Sequence, residues 1–413
     1  MRLALRALFP AALLAPSAAA LTLGGGPPSL SLQDANSLLV TQPDTPVWLA
    51  PAVDAGRRGA LDAGGRLRFF RVRRGEGCNG EWAEIGPLAW VCTSTLKPAS
   101  EPPSAPAPPT VREGLPLDYY FVNAQGSLGY ASLQDAGQVA PITRYEPGFA
   151  LAMTEFSRQA DGERYGRTQH GAWVPLRDLV PIGAPARLGV TLSDEGKAPA
   201  WVIAEHARLR QSPSRGARIA GTVPHHQRVE VSERREEGKT TWLRISDDGW
   251  LPDRDVAQWR PSPPPAELAE GEPWIDVDLE EQVVTAYAGA HPLYAAPTST
   301  GRGPEGSELA TPRGLFRIWI KLRTSTMDNF EQLEARELYA IEAVPWVMFF
   351  DAGYGLHGAF WHNHFGEKRS HGCVNLTPAD AQWFFEWTSP HLPAGWSAVL
   401  PTTYEPGTWV SIR

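Results

Sequence analysis

Residues 357–376 read HGAFWHNHFGEKRSHGCVNL. One cysteine, Cys373, is flanked by His371 and Gly372, with Asn375 two residues on and a second His-Gly pair, His357 and Gly358, upstream. A thiol attacks as its thiolate, so it needs a base near neutral pH, and two histidines close in sequence offer one. Gly372 allows close approach of backbone to a substrate carbonyl, and backbone N–H groups around Cys373 can hold an oxyanion. The stretch therefore reads as a cysteine acyl-transfer site. Two plainer readings compete. Cysteine is among the most buried residue types, so Cys373 can be an ordinary packed thiol. His357, His362, His364, His371 and Cys373 are also metal-ligand types. Their spacing, however, matches neither Cys-x-x-Cys nor His-Glu-x-x-His, and no motif for a nucleotide or metal cofactor is present, so no cofactor is expected. His362 and His364 are read as loop or substrate-groove residues.

The hexapeptide Ser370-His371-Gly372-Cys373-Val374-Asn375, preceded by Leu356-His357-Gly358, resembles the active-site motif of the L,D-transpeptidases, which remodel bacterial peptidoglycan. Trp361-His362-Asn363-His364-Phe365-Gly366 is similar to a common form of the loop between the motif halves. Thr311-Pro312-Arg313-Gly314-Leu315-Phe316 is similar to the family's turn-then-strand segment. The resemblance covers residues 272–402. It implies a β-rich catalytic domain with a few short helices, in which Cys373 is the nucleophile and His357 the base. Backbone N–H groups at Gly372 and Cys373 are implied to hold the oxyanion, and the Gly358 carbonyl to orient His357. His371 is grouped with the oxyanion and orienting residues, His371 and Asn375 are expected to shape the pocket, and Ser370, Arg369 and Trp361 are further pocket residues; a surface role for Arg369 remains equally open. The implied chemistry is cross-linking of stem tetrapeptides through a Cys373 thioester on their third residue. Hydrolysis at the same site, or a non-catalytic wall-binding scaffold with a vestigial last domain, are the alternatives.

The 413 residues allow two to four domains. A net charge of −8 argues against a nucleic-acid partner. Residues 1–20 read as a secretory signal: Arg2 and Arg6, a short apolar run interrupted by Pro10, then Ala18-Ala19-Ala20. No run is long enough for a membrane-spanning helix. The expectation is an exported monomer of the periplasm or cell wall, whose partners are stem peptides and the sacculus. With three cysteines in an oxidising compartment, one pair and one free reactive thiol are expected. Cys78 and Cys92 are close in sequence and are paired in this reading; two reduced core cysteines are the alternative.

Two proline-rich stretches, KPASEPPSAPAPPT (97–110) and PSPPPAELAEGEP (261–273), read as semi-rigid polyproline arms, and a weaker break runs from Pro181 to Pro199. Between them lies a faint repeat. The phrases AWVCTSTLKP, AWVPLRDLVP and GWLPDRDVAQ match in pattern, and each tryptophan follows an aromatic residue, Trp82, Tyr165 or Trp242, at the same spacing. Short alternating runs indicate strands. The third copy resembles bacterial Src-homology-3-like modules, the first is a fair match and the second a poor one. The fold class expected is mainly β, with tandem small β-barrels before the catalytic domain. The expected order is a signal at 1–20, modules at 38–98, 112–182 and 201–259, linkers at 99–111 and 260–271, and the catalytic domain at 272–402. After the motif, Thr377-Pro378-Ala379-Asp380 reads as a helix start with Thr377 as N-cap and Asp380 at the capping-box position.

Overall fold

The computed structural model of the chain describes residues 31–159, 162–193, 198–247, 249–330 and 338–413. The expected signal at 1–20 lies outside them, as does most of EQLEARELY (331–339), read from the sequence as a short helix or lid. The protein is mainly β, with one α-helix, Pro378–Trp387, among the described residues. No described helix is long and apolar enough to cross a membrane. The chain divides into two compact units, with the division between Ala107 and Pro108, inside the first proline-rich stretch; residues 394–396 group with the first unit.

In the first unit Ser37–Val40 pairs antiparallel with Leu96–Ala99, and Trp82–Gly86 with Ala89–Cys92. Leu38, Val47, Leu61, Trp82 and Val91 are fully buried. Cys78 and Cys92 form a disulfide with Cα atoms 5.6 Å apart, so Cys373 is the free cysteine.

The repeated phrases have one backbone shape. Each is a strand, a single 3₁₀ turn and a second strand: Ala89–Cys92, Thr93–Thr95, Leu96–Ala99; then Trp173–Pro175, Leu176–Asp178, Leu179–Ile182; then Gly249–Pro252, Asp253–Asp255, Val256–Gln258. The spaced aromatics are mostly core. Trp82, Trp90, Tyr165, Trp242 and Trp250 are buried and Trp173 is half-buried.

In the second unit, a six-stranded sheet contains, in order, Val190–Thr191, His291–Pro297, Val283–Ala288, Pro273–Asp278, Trp409–Ile412 and Gly314–Arg317. The domain therefore extends past residue 402, because Trp409–Ile412 pairs in parallel with Pro273–Asp278 and the side chain of terminal Arg413 ion-pairs with Asp276. The long strand Ala340–Asp351 pairs with Ile320–Asp328 on one side and Tyr354–Gly358 on the other. One apolar core joins the two layers and the helix, through Ile275, Val284, Met348, Leu356, Val374 and Phe384. As the sequence predicts, Thr377 caps the helix, its Oγ1 accepting from Asp380 N–H at 3.2 Å.

Asp380 does more than complete a cap. Its fully buried carboxylate accepts from the N–H groups of Leu188 and Gly189 at 3.1 Å each, from Tyr294 Oη at 2.6 Å and from Thr377 Oγ1 at 2.6 Å. It thereby ties residues 188–189, inside the weak break read at Pro181 to Pro199, to the helix. Gly189 permits this, since a Cβ there would lie 2.3 Å from Tyr294 Oη.

Within this unit the upstream segments pack directly against residues 272–412. Tyr119 Oη donates to Ala343 O at 2.7 Å, Trp346 Nε1 to Gly114 O at 2.5 Å, and Ala152 N to Glu342 Oε2 at 3.1 Å. Burial pushes the Glu342 carboxyl up to about 7. On the 201–259 side, Trp201, Ala257, Val283 and Ala295 share one buried cluster, and His226 Nε2 meets Phe365 O at 3.0 Å. The 260–271 stretch is itself tied down, with Ser262 N donating to Tyr287 Oη at 3.0 Å. Proline content correctly excludes a core of its own, but not docking through flanking residues.

Replacing Asp380 with Ala leaves two backbone donors and Tyr294 Oη without their buried acceptor. The expected result is a loss of about 2–4 kcal/mol of unfolding free energy in urea titrations.

Candidate active site

Tyr354–Gly358 and Val374–Leu376 pair in parallel, in the register Leu356↔Val374, His357↔Asn375, Gly358↔Leu376. Side chains alternate across a strand. Leu356, Val374 and Leu376 enter the buried core. His357, Cys373 and Asn375 consequently face the other way, and all three line one cavity of about 860 Å³. Sequence order alone separates His357 from Cys373 by sixteen residues; the pairing sets His357 opposite Asn375, two residues beyond Cys373.

The turn before Cys373 is fixed by hydrogen bonds. Ser370 Oγ accepts from Gly372 N–H at 3.0 Å and donates to Cys373 O at 2.6 Å. Thr311 Oγ1 donates to Gly372 O at 2.7 Å and accepts from Gly301 N–H at 2.9 Å. This gives the Thr311-Pro312-Arg313-Gly314 segment its function: its threonine braces the cysteine loop. Gly372 has φ +125°, and a Cβ there would lie 2.3 Å from Tyr354 Cε1, so only glycine fits. Ser370 holds the turn through its hydroxyl and also lines the cavity. The Gly372 N–H, expected as one of two oxyanion donors, is already paired with Ser370 Oγ.

His357 is buried, and its Nδ1 lies 3.4 Å from Gly358 O, the orientation expected from the sequence. A carbonyl only accepts, so Nδ1 carries the proton and Nε2 presents a lone pair. Burial pushes the imidazole down to about 4, with the Gly358 carbonyl opposing. Cys373 is half-buried, and its thiol donates to Gly353 O at 3.7 Å. Burial pushes the thiol above its ordinary value of 9.0, against a backbone hydrogen bond from Gly355. At neutral pH the pair therefore rests as thiol and neutral imidazole, not as thiolate and imidazolium. Desolvation outweighs any benefit from the helix that starts five residues on.

The remaining expected residues, Trp361, Asn375, His371 and Arg369, line the same cavity. Trp361 stacks on His357 with ring centres 5.7 Å apart. Asn375 is buried and its amide meets His362 Nε2 at 2.9 Å. His364 N–H donates to His362 Nδ1 at 3.2 Å. Neutral His362, held down to about 4 by burial and then by neighbouring histidines, thus carries its proton on Nε2. Turning the Asn375 amide gives that proton an acceptor and supplies a partner for the otherwise unpartnered buried Oδ1. His371 does not orient His357. It is exposed, accepts from Arg302 Nη2 at 2.9 Å and stacks on Tyr339. Arg369 binds Glu367 through Nε and Nη2 at 3.1 and 2.8 Å. Among the described residues no group of three or more His, Cys, Asp and Glu is arranged to hold a metal ion. Arg302, Tyr339 and Phe121 also line the cavity. None belongs to a local motif, and Phe121 comes from far upstream, so only three-dimensional packing finds it.

The family model of the L,D-transpeptidase catalytic domain (YkuD) matches residues 272–412. Among solved structures, the chain is similar to the L,D-transpeptidase of Xylanimonas cellulosilytica, at 21% identity over 38% of this chain and 65% of that one, with a TM-score of 0.25. It is similar to a mutant of Enterococcus faecium L,D-transpeptidase at 22% identity over 34% of this chain and 50% of that one, TM-score 0.26. The isolated Enterococcus faecium catalytic domain gives 23% identity over 35% of this chain and 98% of that one, TM-score 0.26. The chain thus spans less than two thirds of the first two structures. No curated protein matches it.

The neutral resting pair makes a pH prediction. A raised thiol ionises later, so alkylation of Cys373 by iodoacetamide in the free protein should climb steadily through pH 9 and above, without a plateau near pH 6. Mass spectrometry of the Cys373 peptide across pH 5–10 measures it; a plateau at pH 6–7 would show a resting ion pair.

Proposed function

We propose that the protein is an exported cysteine acyltransferase that cross-links peptidoglycan through residues 272–412. The observation that carries this reading is the strand pairing that sets His357 and Cys373 on one cavity face, within the stretch matched by the family model. The donor is a stem tetrapeptide whose third residue is an L-centred diamino acid followed by D-alanine. As the donor binds, the Cys373 thiol proton passes to His357 Nε2 and Sγ attacks the carbonyl of the third residue. The N–H of Cys373 stabilises the oxyanion. The carbonyl re-forms, the bond to D-alanine breaks, and imidazolium Nε2–H protonates the departing amine. The thioester then meets the side-chain amine of a second stem. His357 takes a proton from that amine, an amide forms and the thiol is regenerated.

The disulfide Cys78–Cys92 supports export, since such bonds persist in oxidising compartments. Segments 38–98, 112–182 and 201–259 are read as Src-homology-3-like modules that hold the protein on the wall. Their shared strand, 3₁₀ turn and strand supports common descent of the three. The burial of their spaced aromatics moves any sugar-stacking surface away from those residues.

Purified sacculi incubated with the full chain should yield, on digestion and mass spectrometry, muropeptides cross-linked between two third residues. Cys373→Ala should give none while keeping the wild-type melting temperature. Free tripeptide stems without cross-links would assign hydrolysis instead, and turnover by Cys373→Ala would refute the nucleophile.

A further inference from the structure

The cavity that holds Cys373 is not built by residues 272–412 alone. Phe121 and Gly148, from the 112–182 segment, stand in its wall beside Met327, Ile341 and Trp361. Their placement is enforced. Ala150–Arg158 joins Ala340–Asp351 in parallel at Ala150↔Ile341, and Asp118–Val122 pairs antiparallel with Ala150–Arg158, setting Phe121 opposite Ala150. Gly114 lies so close to the helix start that a Cβ would be 2.2 Å from the Pro378 carbonyl carbon. Tyr119, Ala150, Ala152, Ala343 and Phe360 form one buried cluster, against which Phe121, Ile341 and Trp361 pack. Aromatic rings then run inward: Tyr119 to Phe360 at 4.1 Å, Phe360 to Trp361 at 5.1 Å, and Trp361 to His357 at 5.7 Å.

The two sides of the cavity differ in chemistry. On the cysteine side the exposed Arg302 is held by neutral His371, with no carboxylate partner among the described residues. Beside His357 an apolar stretch of wall is made by Trp361, Ile341 and half-buried Phe121. We infer that the 112–182 segment forms a substrate subsite of the active site, and that Phe121 selects an acidic peptide with a long aliphatic arm. The donor's carboxylate meets Arg302 while the methylene arm of its diamino residue lies on Phe121. This rests on the acyltransferase reading above and adds that the upstream segment is part of the site. A methylene arm laid on an aromatic face removes apolar area from water, enough for about a tenfold effect on affinity.

The test uses the full chain. Calorimetry on the Cys373→Ala background, with a synthetic stem tetrapeptide, reads binding without turnover. Adding Phe121→Ala should weaken Kd about tenfold, and Phe121→Leu should restore most of it. Phe156, 40% exposed on the same upstream segment and outside the cavity lining, supplies the control: Phe156→Ala should leave Kd unchanged. A tetrapeptide in which a shorter side chain replaces the diamino residue should bind Phe121→Ala and its parent alike. With Cys373 present, Phe121→Ala should raise KM with little change in kcat, and leave the iodoacetamide rate of Cys373 unchanged. Equal Kd for Phe121→Ala and its parent overturns the inference, even if cross-linking proceeds. A Phe121-dependent Kd without any acyl transfer upholds it and overturns the acyltransferase reading instead. Loss of melting temperature and alkylation rate together in Phe121→Ala would reduce the residue to packing and also overturn it.

Discussion

The parallel pairing of two short strands, Tyr354–Gly358 and Val374–Leu376, governs the chemistry of the second unit. Strand periodicity sends Leu356, Val374 and Leu376 into the core and leaves His357, Cys373 and Asn375 on the cavity. A slip by one residue would exchange those faces, burying the nucleophile and exposing leucine. Burial of the apolar set therefore fixes the geometry of the polar set. Everything nearby defends that register: Ser370 and Thr311 clamp the turn, Gly372 clears Tyr354, and Thr377 starts the helix directly after the strand.

The same burial sets the electrostatics. A dry site disfavours charge on both partners, lowering the imidazole and raising the thiol. An idle thiolate in an oxidising compartment would be open to oxidation, and a resting thiol resists it. In the proposed reaction the charge then develops only as the carbonyl is attacked, where the Cys373 N–H can meet it. The upstream segments share in this arrangement. Packing of the 112–182 segment through Tyr119 and Phe360 supports the tryptophan stacked on His357, and His226 meets the loop between the motif halves at Phe365.

Much of this was legible in the sequence because local chemistry enforces it. The motif HGAFWHNHFGEKRSHGCVNL placed the cysteine and histidine, Thr377-Pro378 placed the helix start, and the repeated AWV and GWL phrases marked one recurring strand and turn. What was not legible depends on contacts between distant segments. Ser370 lines the cavity as its type suggests, but its two turn bonds exist only once Gly372 takes positive φ. His371 lies two residues from Cys373 in sequence, yet its ring turns to Arg302 and Tyr339. The proline-rich 260–271 stretch looked like an arm because composition reports the absence of a core, not the presence of a docking partner such as Tyr287. Phe121 carried no signal, since one aromatic residue in a strand has no pattern.

In the proposed reaction Cys373 is an acyl-accepting nucleophile activated by His357. The most direct measurement is peptide-level mass spectrometry of the full chain after exposure to a carbapenem, whose strained carbonyl acylates nucleophilic thiols. The account predicts one adduct, on the peptide carrying Cys373, formed rapidly in the native protein and at least tenfold more slowly in His357→Ala, where the base is absent. An adduct that forms equally fast without His357, or none at Cys373, would contradict it.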